Sequence, residues 1–171
     1  NPFKALRNMM PAYFTALGTS SSAATIPISV ESTLKNGISR PVANFVIPLC
    51  ATIHLSGSMI KLTLYAFAIV YMANLDISTS TGLGFIFLLG IMMIAAPGVP
   101  GGAVMVAAGL LADMMGFDDG MVALMIAAYI AIDSVGTAAN VTGDGAIAMI
   151  LDKFVGNRED ATKEELTDPT A

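Results

Sequence analysis

From Gly82 to Ala112 the chain carries no charged side chain. That run is far longer than the about 18 apolar residues that mark a segment as living in lipid. In its middle stands Pro97-Gly-Val-Pro-Gly-Gly102. Proline lacks the N–H that a continuing helix needs and glycine is a poor helix former, so a helix entering this motif must stop. The flanking arms, Gly82–Ala96 and Ala103–Met115, each reach about 20 Å at about 1.5 Å per residue. The hydrocarbon core of a bilayer is about 30 Å thick, so neither arm crosses it. A stretch like this can enter a membrane and turn back. Its irregular tip is tolerated at depth only where it is buried in protein or lines a cavity.

The same pattern comes earlier in the chain. Asn1–Gly18 reads as a helix with Lys4 and Arg7 at its entry, and Pro11 predicts a kink or a restart. Thr19-Ser-Ser-Ser-Ala-Ala-Thr-Ile-Pro27 is a serine-rich tip. Pro27 suits the first turn of a new helix with Thr25 as its N-cap, and Asn36-Gly37 ends it. A longer apolar segment with a polar interruption follows each hairpin. Pro41–Ala73 is interrupted by Thr52–Ser58, and Met121–Leu151 is expected to break near Gly136 or Gly143.

Hairpin, broken helix, hairpin, broken helix is the recurrence of an internal transporter repeat. The fold class expected is an all-α polytopic membrane protein, with two re-entrant helical hairpins and two broken transmembrane helices in an inverted repeat. The expected pieces are a hairpin at 1–37, a broken helix at 38–75, a hairpin at 79–116 and a broken helix at 118–156. Together these form a core of residues 1–156. The polar, acidic segment 157–171 is expected to be a disordered cytoplasmic tail. The chain begins with Asn rather than Met, shows no signal peptide, and reads as a piece of a larger protein.

Composition supports the membrane reading: 55% of residues are hydrophobic and 12% charged, against about 25% charged in soluble domains. The net charge of -5 resides largely in the tail after Leu151. No basic patch interleaved with aromatics suggests nucleic acid. The single cysteine, Cys50, excludes an internal disulfide and gives no zinc pattern. The twelve methionines read as packing filler. Lys4, Arg7, Lys35, Arg40, Lys153, Arg158 and Lys163 all fall on one side in this topology, while Asp76, Asp118 and Asp119 mark the other. The positive-inside rule then puts the ends of the first hairpin and the tail in the cytoplasm of a multi-pass inner- or plasma-membrane protein.

The chemistry concentrates in Ile130-Ala-Ile-Asp-Ser-Val-Gly-Thr-Ala-Ala-Asn-Val-Thr-Gly-Asp144. On a helix, Asp133, Thr137, Asn140 and Asp144 share one stripe about 40° wide. A carboxylate in an apolar medium is costly unless paired, hydrogen-bonded or bound to a cation. With few basic residues available as partners, the stripe reads as an internal site that expects cations or an ammonium group. The alternative is two charges sealed by salt bridges. Re-entrant tips add N–H groups and a positive dipole end for a carboxylate, and carboxylate and carbonyl oxygens suit Na⁺.

Four ordered motifs now carry a resemblance: "SSSAATIP", "PLCATIHLSGS", "APGVPGG" and "DSVGTAANVTGD". The chain resembles the transport-domain half of the dicarboxylate/amino acid:cation symporter family, which includes the glutamate and neutral amino acid transporters. The resemblance covers nearly the whole chain up to about Gly156. It implies a secondary symporter that moves its substrate by an elevator mechanism, with Pro97–Gly102 in the second hairpin as gate. It implies a scaffold upstream that carries a homotrimer interface. It implies substrate contacts at Ser21, Ser22, Ser58, Val99, Gly102, Asp133, Thr137 and Asn140, with Ser22 and Asn140 on the substrate carboxylate and Asp133 on its amino group. Sodium ligands are implied at Cys50, Thr52, His54, Ile94, Ala96, Asn140 and Asp144, several through backbone carbonyls. No organic cofactor is implied.

Three departures from the family stand out. The arginine that glutamate transporters use for an acidic side chain falls on Gly136. The Asn-Met-Asp-Gly-Thr motif is His54-Leu-Ser-Gly-Ser58, which loses a sodium-binding asparagine and aspartate, the latter at Ser56. An apolar or aromatic position is Lys61. The first departure points to small neutral amino acids as substrate, or to acidic amino acids and dicarboxylates if Lys61 or His54 supplies the charge. His54, Ser56 and Lys61 become coupling candidates. On a continuous helix His54, Ser58 and Lys61 share a face, where a fixed ammonium could replace a bound cation and a titrating histidine could add a proton step. The plainer alternative pairs Lys61 with an acid of the scaffold. From other classes, an intramembrane serine hydrolase would use Ser21 or Ser22 with His54 and Asp133, although no Gly-x-Ser-x-Gly elbow is present. A channel or a purely structural subunit would use the same hairpins.

Overall fold

The structure, a computed structural model, describes the backbone of residues 1–167 and the side chains of residues 1–155. The described residues form eight helices and no strand: α1 Pro2–Thr19, α2 Ser22–Leu34, α3 Arg40–Ile53, α4 Ser56–Met72, α5 Thr79–Met93, α6 Gly102–Met115, α7 Asp119–Ala131 and α8 Asp133–Thr167. The all-α class is as the sequence indicates. The segment from 157, expected to be disordered, continues α8 as helix to Thr167, and residues 168–171 lie outside the described residues.

α1 packs along α2, and α5 packs along α6. Pro11 lies inside a continuous α1 and neither ends nor restarts it. α2 starts earlier than Pro27 and Thr25 suggest. Ser21 is extended (φ -135, ψ 112) and its hydroxyl accepts from the Ala24 N–H at 3.2 Å, so it caps the helix and leaves Pro27 inside. The polar interruption between α3 and α4 falls at His54 and Leu55, within the expected stretch. Arg40–Met72, taken as one segment, is long and apolar enough to cross a membrane.

The last break is not where the glycines pointed. It falls at Ile132, where α7 and α8 meet at 61°, while Gly136 and Gly143 both sit inside α8. These two glycines serve close packing instead of helix termination. A Cβ on Gly136 would lie 3.2 Å from Lys61 Nζ, and one on Gly143 would lie 2.5 Å from His54 Cε1.

α8 is the hub: it packs against α1, α2, α3 and α4. Its Ala138 and Val141 close a small core with Met9, Ala12 and Ala16 of α1, and its Ala148 joins Val42, Val46 and Ile47 of α3. The largest core lies between α4, α5, α6 and α7, around Leu62, Phe85, Leu89, Leu111 and Met125. The outside is also apolar, with Phe45 69%, Phe87 70% and Phe14 61% exposed. Large aromatic side chains distributed in this way on several helices suit a lipid environment rather than water.

Candidate functional site

The helices α2, α4, α6 and α8 all begin at one place. Their first residues follow the serine tip, the His54–Leu55 break, the 94–101 loop and the Ile132 break. Between them lies a cavity of about 10 Å³, room for about one water, lined among others by Ser22, Ser58, Val99, Asp133, Thr137 and Asn140. Each helix start offers backbone N–H groups without intrahelical partners and about half a positive charge. Four of them around one cavity aim N–H donors at it, while the preceding ends of α1, α3, α5 and α7 bring carbonyls to the same region, so this centre inside an apolar molecule offers donors to an anion and acceptors to a cation.

Asp133, the first residue of α8, points into this centre and is 4% exposed. Its Oδ2 accepts from the Gly101 N–H at 2.8 Å, and its Oδ1 accepts from Lys61 Nζ at 3.0 Å. Lys61 reaches across from α4 and is 7% exposed. Its ammonium also donates to the carbonyls of Tyr129 and Ile132, each at 3.4 Å, and stands 3.6 Å from the centroid of the Tyr129 ring. The acid that pairs with Lys61 is therefore not on a scaffold, as the plainer alternative has it, but in this chain. Gly136 makes room for Lys61: a Cβ there would lie 3.2 Å from Nζ, so the ammonium would have to give by a few tenths of an ångström.

Asp144, about three turns further along α8, is treated in the same way. It is 1% exposed, and His54 Nδ1 lies 2.7 Å from its Oδ1. His54 is the C-cap of α3 (φ -107, ψ 91) and is off the α4 helix. The expected shared face of His54, Ser58 and Lys61 therefore does not form. The two basic residues address opposite ends of the stripe, about 16 Å apart along α8 at about 1.5 Å per residue. The stripe itself is as expected, with Asp133, Thr137, Asn140 and Asp144 all buried. Its carboxylates do not wait unpaired for cations: each has a basic residue of this chain against it.

The remaining expected residues divide. Asn140 is 1% exposed, and its amide caps α4: Oδ1 accepts from Gly57 N–H at 2.7 Å, and Nδ2 donates to Ser58 Oγ at 3.1 Å. Thr137 donates to the Asp133 carbonyl at 3.0 Å. Ser21 lies behind the cavity wall, where its hydroxyl donates to the Gly98 carbonyl at 2.9 Å and holds the two tips together. The Ala23 N–H reaches the same carbonyl at 3.1 Å. Gly98 packs so tightly on the Ala51 carbonyl oxygen that a Cβ would collide with it. This brings the loop that carries Ile94 and Ala96 to the end of α3, beside Thr52. Ile94 is exposed and Ala96 buried. Gly102 is buried at the start of α6. Ser56 faces outward and lines an apolar groove with Met59 and Ile60, away from the cavity. Cys50 is buried in the α3 core.

Three participants lie outside the residues expected from sequence: the Tyr129 ring and carbonyl, the Ile132 carbonyl and the Gly101 N–H. Tyr129 sits in a plain apolar run, and only its place three residues before the break singles it out. Gly136 and Gly143 of α8 were a usable signal for the basic pairs, because each faces one of the two basic residues, Lys61 and His54, at or after the break between α3 and α4.

The chain matches the Sodium:dicarboxylate symporter family over residues 1–154. It is 29% identical to the neutral amino acid transporter B(0) of Mus musculus over 99% of this chain and 30% of that protein. It is 30% identical to the excitatory amino acid transporter 4 of Mus musculus over 99% of this chain and 30% of that protein. It is 28% identical to the neutral amino acid transporter A of Homo sapiens over 88% of this chain and 28% of that protein. The chain thus spans about 30% of the length of these curated relatives. With the family match extending over all four hairpin and broken-helix segments, the chain belongs to the sodium:dicarboxylate symporter family.

Proposed function

We propose that this chain is the substrate- and cation-binding core of a secondary symporter for small carboxylates, meaning amino acids or dicarboxylates, in a multi-pass membrane protein. The convergence of four helix starts on one buried cavity inside an apolar exterior carries this reading. Positive dipole ends and serine hydroxyls bind a carboxylate, and the loop 94–101 with its Gly98 contacts acts as the gate that must lift for a substrate to enter about 10 Å³ of space. The core moves as an elevator against a scaffold that also joins three copies. No enzymatic chemistry is part of the reading: the His54 ring is engaged with Asp144 and makes no hydrogen bond to a serine.

Sodium enters as co-transported cargo. At Asp144 the donor set suits it, because a carboxylate and the carbonyls at the end of α3 are hard oxygen donors. The His54 ring occupies one oxygen of that carboxylate. The family's other sodium position does not fit, since its aspartate is replaced by the outward-facing Ser56 and its asparagine by His54. The reading is therefore fewer sodium ions per substrate than in relatives that keep those residues.

Gly136 and the two neutral amino acid transporters among the relatives favour a small neutral amino acid, a preference that the Lys61 contacts argued below set aside within the same carboxylate class. A second reading has its own observation: Lys61 Nζ stands 3.2 Å from where a Gly136 side chain would begin, so a cationic group does occupy that region. It makes acidic amino acids or dicarboxylates the alternative. Proteoliposomes holding the full-length protein, loaded to give an inward gradient of Na⁺ or of choline, test the class. Saturable, gradient-driven uptake of a labelled carboxylate is expected. Currents without substrate saturation would mark a channel, and absence of uptake for every amino acid and dicarboxylate would sink the reading.

A further inference from the structure

We infer that Lys61 is a tethered ammonium that fills the amino-group position of the site, so that the substrate is a carboxylate without an α-ammonium. The inference rests on the carboxylate-symporter reading and narrows it. An alkylammonium has three N–H donors and no acceptor. Lys61 finds one acceptor for each: Asp133 Oδ1 at 3.0 Å and the carbonyls of Tyr129 and Ile132 at 3.4 Å, with the Tyr129 ring face 3.6 Å away. The two carbonyls lie at the C-terminal end of α7 and its cap, where the dipole is negative; each takes one turn N–H, from Ile132 at 3.3 Å and Val135 at 3.2 Å, and has a second lone pair for the ammonium. Carboxylate, helix C-terminus and aromatic face together form a cage for a small cation, and this chain supplies that cation from α4.

A substrate ammonium would have to share Asp133 with Lys61. Asp133 already carries a donor on each oxygen, Lys61 on Oδ1 and the Gly101 N–H on Oδ2. The pair sums to zero charge, and an incoming ammonium would meet the Lys61 charge within a few ångströms in a buried setting. Like charges so placed are strongly disfavoured. The anion-attracting half of the site keeps its capacity: the helix starts and the Ser22 and Ser58 side chains around the cavity suit one carboxylate or two. Gly136 is part of the device, since a side chain there would begin 3.2 Å from Lys61 Nζ and 3.4 Å from Cε.

The test uses substrate pairs that differ only in the amino group, succinate against aspartate and propionate against alanine. Each is offered to the full-length wild-type protein in proteoliposomes and read as uptake and as thermal stabilisation. The amino-free member of a pair should be preferred by about tenfold or more. In Lys61→Met the preference should reverse, because the vacated cage beside Asp133 takes the ammonium of aspartate or alanine. Lys61→Met with Asp133→Asn, which leaves no charge behind, should lose discrimination in both directions. The wild-type comparison needs no variant, so it decides even if Lys61→Met fails to fold. A wild-type protein that prefers aspartate and alanine would overturn the inference and leave the symporter reading standing. A protein that takes up none of these and no other carboxylate would overturn both.

Discussion

The Lys61–Asp133 pair should behave as a buried, energetically coupled unit, and a double-mutant cycle measures this directly. Its side chains are 8% and 6% exposed and its charged atoms lie 3.0 Å apart. At an effective dielectric of about 20, Coulomb's law gives about 5 kcal/mol of attraction at that distance. Desolvation of both ions offsets much of this, so the net worth of the pair is small while the cost of breaking it is not. Lys61→Met leaves Asp133 with only the Gly101 N–H. Asp133→Asn leaves an ammonium facing two carbonyls and a ring. Each single change should cost about 3–5 kcal/mol. The double change removes both charges and should cost clearly less than the sum, with a coupling near the upper end of the about 0.5–3 kcal/mol seen for contacting residues. The assay is denaturant unfolding of the four full-length proteins in detergent. Additive effects, or singles within the about 0–1 kcal/mol of an exposed pair, would refute the pairing.

Three further outcomes follow from other contacts. Gly143→Ala places a Cβ 2.5 Å from His54 Cε1, so it should push the ring off Asp144 and cost about 1–3 kcal/mol; wild-type stability in the unfolding assay would contradict the packing. Asp144→Asn exchanges an anionic ligand for a neutral amide and should raise the sodium concentration for half-maximal uptake by about tenfold or more; an unchanged sodium dependence would remove Asp144 from the cation path. Gly98→Ala sets a methyl against the Ala51 carbonyl oxygen and should keep the 94–101 loop from seating, with uptake falling well below wild type while the helical circular dichroism signal is retained; normal uptake would show that the loop need not close there.

The stripe on α8 was legible because helical period alone puts Asp133, Thr137, Asn140 and Asp144 on one side, whatever surrounds them. The tips were legible because proline–glycine and serine runs stop helices locally. What failed was what depends on partners distant in sequence. The Ile132 break has neither glycine nor proline. It is supported by Lys61, whose ammonium takes the carbonyls that the break exposes at Tyr129 and Ile132, 68 and 71 residues away in sequence. Gly136 and Gly143 looked like the weak points of that helix, yet a glycine can equally mark where another chain segment must come close. Pro27 misled for a local reason: Ser21 caps α2 one turn earlier than Thr25 would, which leaves Pro27 inside the helix with the loss of one backbone hydrogen bond.

The same geometry explains why the departures from the family motifs belong together. A basic side chain brought to Asp133 needs a donor residue on α4 and a gap on α8, and Lys61 and Gly136 provide one each. A ring brought to Asp144 needs a residue at the α3 cap and a gap beside the carboxylate, and His54 and the adjacent Gly143 provide these. Either gap without its basic residue would leave a void beside a buried carboxylate. Without its gap the His54 ring would clash with α8, and Lys61 would be displaced by a few tenths of an ångström from its place beside Asp133. Lys61 and Gly136 therefore form one device, as do His54 and Gly143. Variants that exchange both members of a device should be tolerated better than variants that exchange one. Lys61→Met combined with Gly136→Ala should recover stability relative to Lys61→Met alone, because the added methyl fills space that the ammonium leaves. A combined variant less stable than Lys61→Met would show that Gly136 serves something other than Lys61.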